Sequence, residues 1–278
     1  FSQVCTHLSC AVVYRATDLN LGRSVAIKTL PRVTPEHVAR LRREAQAMAS
    51  IAHANLAVIY GVETWKGVPF LVEEYLAGGT LADRLRGRRM TIAEALDLCI
   101  TLTNVLGQLH TAGIVHCDIK PSNIGFNQNG VVKLLDFGLA RLLREAGPLL
   151  STTTDIGGVA AWTDSVIVSE LGVLGTPPYM SPEATHGMRA TPAVDLWAVA
   201  VVLYEAIAGR RPFVGETAAD VFEKIRASEF PPLDAVRPDC PSAVARLVER
   251  FLAADPASRV TTAEAMTGEL LALRSPDA

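Results

Sequence analysis

In the run His116-Cys117-Asp118-Ile119-Lys120-Pro121-Ser122-Asn123, an aspartate, a lysine and an asparagine stand close together, and a second aspartate follows at Asp136. These residue types suit phosphoryl transfer from a metal-bound nucleotide. The Asp118 carboxylate can orient an attacking hydroxyl, and the Lys120 ammonium can neutralise phosphate oxygens. The amide oxygen of Asn123 and the carboxylate of Asp136 are hard ligands of the kind that hold magnesium.

Such a set works only if surrounding elements hold it still. Residues 10–30 and 56–76 are rich in β-branched and aromatic side chains. They are broken at Asn20-Leu21-Gly22 and Trp65-Lys66-Gly67, which read as hairpin turns. Val25-Ala26-Ile27-Lys28 is a strand ending in a lysine. Between the two β-rich stretches a helix is expected, with Thr34 as its cap, Pro35 in its first turn and Val38, Leu41, Ala45 and Met48 as its apolar stripe. Glu44 falls on that inward face, where a carboxylate is costly unless paired, and Lys28 is its natural partner. After Gly78-Gly79 the pattern turns helical. Residues 91–112 are apolar on nearly every side, and further helices are expected at 194–208, 217–228, 241–253 and 262–273. The sum is an α+β chain: a small antiparallel sheet with one main helix, joined to a larger, mainly helical lobe.

Composition narrows the classes. The chain has 278 residues, 49% of them apolar, enough for a large core. Its net charge is −3, and its one basic cluster (Arg84, Arg86, Arg88, Arg89) is short and reads as a solvated face. Nucleic-acid binding is not expected from so small a footprint. The five cysteines are odd in number and lack CxxC spacing, which points to a reducing compartment without a disulfide frame. The most apolar stretch, Val194 to Gly209, is short and carries Asp195 and Glu205, so no membrane span is expected. The expected location is the cytoplasm. The chain starts at Phe1 without methionine, as a domain cut from a longer protein would, and an anchor outside it remains compatible.

The opening run, together with Asp136-Phe137-Gly138, resembles the catalytic loop and metal motif of eukaryotic-like protein kinases. Gly175-Thr176-Pro177-Pro178-Tyr179-Met180-Ser181-Pro182-Glu183 and Asp255-Pro256-Ala257-Ser258-Arg259 extend the resemblance over essentially the whole chain. It is closest to bacterial serine/threonine kinases. The resemblance implies one kinase domain over 1–278, with an N-lobe at 1–73, a hinge at 74–79 and a C-lobe at 80–278. It implies ATP with magnesium, manganese being an alternative, and protein substrates bearing Ser/Thr hydroxyls, autophosphorylation among them. Asp118, Lys120, Asn123, Asp136, Lys28 and Glu44 take the catalytic roles. Asn123 and Asp136 bind metal. Nucleotide contacts fall to Lys28, Lys120, Asn123, Asp136, the Glu74 carbonyl and the Leu76 N–H, with Val13 and Ala26 roofing the base. Thr176 bridges Asp118 and Lys120, Glu183 pairs with Arg259, and Asp195 anchors the catalytic loop. Met48, Ile59, His116 and Phe137 fall where the family stacks a regulatory column, and each is equally explicable as core.

The chain departs from the family pattern in four places. Thr6, Leu8 and Ala11 stand where the phosphate-covering loop carries glycines, so a stiffer hairpin and a weaker lid are expected. Glu73 holds the gatekeeper position, where a buried carboxylate needs a donor. Gly125 replaces the leucine-like floor of the adenine site, an expected loss of about 1–2 kcal/mol of contact. Cys117 stands where the family carries arginine and is expected to pack as a small buried hydrophobe. That arginine receives an activation-loop phosphate in many relatives. Phosphorylation among Ser151, Thr152, Thr153, Thr154, Thr163, Ser165 and Ser169 is therefore not expected to act by that route, and a polar loop without a regulatory role fits the same residues. Three functions fit the sequence: an active Ser/Thr kinase, a pseudokinase acting as a scaffold, and a small-molecule kinase. The missing glycines, Glu73 and Gly125 favour the second; retention of all six catalytic side chains favours the first.

Overall fold

The computed structural model describes residues 2–8, 11–29, 45, 51–135 and 176–274, the first eight of them (2–8 and 11) through their backbone. Glu44, Met48, Asp136, Phe137, Gly175, most of the helix expected from Thr34, and the hydroxyls from Ser151 to Ser169 lie outside the described residues. Ala45, on that expected helix, is helical and buried.

Five strands form the small lobe: β1 (Ser2–Leu8), β2 (Ala11–Asp18), β3 (Arg23–Thr29), β4 (Ile59–Trp65) and β5 (Val68–Glu74). All pairs are antiparallel, in the order β1-β2-β3-β5-β4. The predicted turns fall where the chemistry placed them. Gly22 has φ 66°, and Lys66 and Gly67 have φ 48° and 79°, the two successive left-handed residues that a tight hairpin requires. Thr6 pairs with Val13 and Leu8 with Ala11, so all three glycine-replacing positions sit in paired strand.

The large lobe holds α1 (Leu81–Leu85), α2 (Ile92–Thr111), a ribbon of β6 (Ile124–Phe126) and β7 (Val132–Leu134), then α3 (Pro182–Thr185), α4 (Pro192–Ala208), α5 (Ala218–Ala227), α6 (Leu233–Val236), α7 (Ser242–Phe251) and α8 (Ala263–Arg274). Local signals set the helix ends. Thr91 and Glu94 form a reciprocal capping box at the start of α2. Gly209, at φ 74°, ends α4 by donating its N–H to the Glu205 carbonyl at 2.8 Å. Between those ends α4 is buried from Asp195 to Ala208 except at Glu205, as befits a helix apolar all round. α2 alone among the described helices is long and apolar enough to cross a membrane by length and composition. Half of that stretch is buried, and it packs against α4 and α8 as a core helix. The expected two-lobed architecture is present.

Candidate functional site

The catalytic loop is built downward from α4. Asp195, with no exposed surface, accepts from the N–H of His116 at 2.9 Å and of Cys117 at 2.8 Å, and meets His110 Nε2 at 2.9 Å. His116 is also fully buried. Its Nε2 lies 2.8 Å from the Leu135 carbonyl and its Nδ1 accepts from the Asp118 N–H at 3.2 Å. Cys117 pays for this bracing with a left-handed backbone at φ 67°, unusual for a residue with a Cβ. It is half-buried, not the buried hydrophobe expected, and its polar Sγ–H lies 3.6 Å from the Val115 carbonyl.

Four side chains meet beyond this anchor. Lys120 Nζ sits 2.9 Å from Asp118 Oδ2 and donates to Thr176 Oγ1 at 2.8 Å, while the Thr176 hydroxyl donates to Asp118 Oδ1 at 3.2 Å. Asn123 Nδ2 donates at 2.9 Å to both the carbonyl and Oδ2 of Asp118. Asp118 keeps 22% of its side chain exposed, whereas Lys120 keeps 7%, so the carboxylate is the group an incoming molecule reaches. Reversing the Asn123 amide would set oxygen against two oxygens. Its Oδ1 therefore points elsewhere, buried and without a hydrogen-bond partner among the described residues. A buried acceptor left so costs about 1–3 kcal/mol, and a cation would satisfy it. Thr176 is held by the short helix Pro177–Tyr179, whose Tyr179 hydroxyl donates to Glu205 of α4 at 2.6 Å. Downstream, Arg259 Nη1 binds both Glu183 oxygens, at 3.2 and 3.1 Å.

In the small lobe, strand register aligns the residues expected to meet a nucleotide. Lys28 faces Val13 on β2 and Leu71 on β5, and Ala26 faces Glu73. Side chains two apart share a face, so Val13, Ala26, Lys28 and Glu73 lie on one surface. Glu73 is buried at 5% exposure, two register pairs along from Lys28 and on the same face. Glu74 turns its side chain the other way. Its Oε2 lies 3.0 Å from Lys133 Nζ and accepts from the Val58 N–H at 3.2 Å, and Lys133 also donates to the Leu56 carbonyl at 3.2 Å. Lys133 was missed in the sequence. Its signal was a lone cation between Val132 and Leu134, a position that demands a partner.

Beside Gly125, Leu76 Cδ1 stands in the place a Cβ on residue 125 would take.

The protein kinase domain family model matches residues 9–271. A probable serine/threonine-protein kinase of Streptomyces coelicolor is 34% identical over 265 residues, covering 92% of this chain and 37% of that protein. Serine/threonine-protein kinase PrkC of Bacillus subtilis is 34% identical over 264 residues, covering 94% of this chain and 38% of that protein. Serine/threonine-protein kinase PknA of Mycobacterium tuberculosis is 34% identical over 272 residues, covering 95% and 58%. The chain thus spans between about two fifths and three fifths of the length of these relatives. With the anchored loop and the two-lobed fold, these matches place the chain in the protein kinase domain family, among the eukaryotic-like serine/threonine kinases of bacteria.

Proposed function

We propose that the chain, as a single kinase domain over 1–278, transfers the γ-phosphoryl group of ATP to Ser/Thr hydroxyls of proteins, itself included. The observation that carries this reading is the hydrogen-bonded quartet of Asp118, Lys120, Thr176 and Asn123. Asp118 accepts or orients the proton of the attacking hydroxyl, and Lys120 sets its charge beside the oxygens of the transferring group. Thr176 keeps the carboxylate and the ammonium in one register by bonding to both. Asn123 Oδ1 and Asp136 fit a divalent cation, magnesium in the first instance and manganese as the alternative. When bound, that cation neutralises charge developing on the phosphate oxygens. Lys28, steadied by Glu44, grips the α- and β-phosphates, while the Glu74 carbonyl and Leu76 N–H read the adenine edge beneath Val13 and Ala26. A reaction that draws on ATP fits the cytoplasm.

The test is magnesium-dependent transfer from labelled ATP to the protein itself and to a generic basic protein, beside Asp118→Asn and Asp136→Ala. Transfer well above both variants is expected. Wild-type signal equal to theirs would overturn the assignment and leave a kinase-shaped scaffold.

A further inference from the structure

Resting on the nucleotide-site reading above, we propose that the apolar floor of the adenine site is carried by the hinge side chain Leu76. In this view positions 76 and 125 form one exchangeable unit. β6 is buried along its whole length, Gly125 included. The hinge is stitched down onto it: the Gly78 N–H donates to the Phe126 carbonyl at 2.8 Å, the Phe126 N–H to the Gly79 carbonyl at 2.9 Å, and Thr80 bridges to Gly125. Gly78 has room for no Cβ, since the carbonyls of Asn127 and Phe126 would lie 2.7 and 2.8 Å away. Glycine there is what lets the two backbones approach so closely.

That approach fixes what fills the space between them. A Cβ on residue 125 would meet Leu76 Cδ1 at once, with Leu135 Cδ1 at 3.3 Å and Leu76 Cβ at 3.5 Å. The volume that a side chain of β6 would fill is filled by Leu76 reaching down from the hinge. Leu135 Cδ1 lines the same space. Leu76 is itself only half-buried, so part of its surface stays open to be covered by a base held at its own N–H. Close packing admits one large aliphatic in this space and not two.

The experiment is a double-mutant cycle read by calorimetric titration of ADP with magnesium, on the full 278-residue chain, with thermal unfolding in parallel. Leu76→Ala is expected to weaken ADP binding about fivefold to tenfold, the loss of one large aliphatic contact. Gly125→Leu alone is expected to weaken binding about threefold or more, because two side chains then compete for one space. In combination the two should return affinity to within about twofold of wild type, a coupling of opposite sign to both single effects. Leu76→Ala/Gly125→Val gives the same test should Gly125→Leu fail to fold. A double variant that melts like wild type yet binds no better than Leu76→Ala overturns the floor and leaves the kinase reading intact. A folded wild type that binds no nucleotide overturns that reading, and the floor with it.

Discussion

The loop that carries Asp118 and the segment from Glu74 to Gly79 are built on opposite principles. In the loop, position is set by named polar atoms. Asp195 fixes two consecutive N–H groups, and Thr176 and Asn123 fix both oxygens of Asp118. At the hinge, backbone pairing and filled volume set position, and several side chains can fill one space. The four departures from the family pattern follow this division. Cys117 enters the loop at a position that Asp195 holds through the backbone alone. Glu73, Gly125 and the glycine-free hairpin fall on the side where nucleotide binding is proposed. Substitution is tolerated where an interaction is spread over surface, and resisted where it is a directed bond.

The division predicts different failures on the two sides. The largest is Asp118→Asn, which keeps the shape and removes the carboxylate proposed as the base. kcat should fall about 10²–10⁴-fold while calorimetric nucleotide affinity stays within about twofold. A parallel loss of affinity would show that the two sides are not separable. Asp195→Ala comes next. It strips two buried N–H groups and His110 of their acceptor, and about 3–5 kcal/mol of stability should go with it. Hydrogen exchange localises the effect: the amides of His116 and Cys117 should lose protection before those of α2. Thr176→Ala removes one bridge between charged groups and should lower kcat about tenfold, with Thr176→Ser recovering most of it. Equal loss in both variants would mean that the methyl group, not the hydroxyl, matters.

On the hinge side, Lys133→Met breaks the contact with Glu74 and the Leu56 carbonyl. Both side chains are mostly buried, at 11% and 19% exposure, and the stability loss should be about 1.5–3 kcal/mol. Nucleotide affinity should shift more than kcat. A change in kcat alone would place Lys133 with the catalytic loop and blur the division.

Legibility in the sequence followed the same line. The turns at Gly22 and Gly67 were readable from residue chemistry, because a positive φ favours glycine, whereas the contacts of Asp195, Thr176 and Arg259 were legible only through the resemblance to the kinase family. Lys133–Glu74 was readable in principle from a cation inside an apolar strand. Leu76 filling the space above Gly125 was not, since a volume shared between distant residues leaves no mark on residue type. The orphaned Asn123 Oδ1 needed coordinates too, because only the direction of its Nδ2 bonds shows which way the oxygen faces.

The smallest effect tests the directed-bond principle far from the cleft. Glu94 accepts from the Thr91 N–H at 2.8 Å and from its hydroxyl at 2.9 Å, and those bonds hold its carboxyl below the ordinary range. A carboxyl depressed on folding adds stability that is fully present above its unfolded pKa, about 4.3, and is lost as pH falls through the lower folded value. Glu94→Gln should therefore melt about 1–2 °C lower than wild type at pH 7, and the gap should close toward pH 3. Thr91→Ala, which removes the reciprocal bond to the Glu94 N–H, should cost about 1 kcal/mol with a weaker dependence on pH. A Glu94→Gln gap that persists unchanged at low pH would mean the side chain supports α2 by its shape and not by its charge.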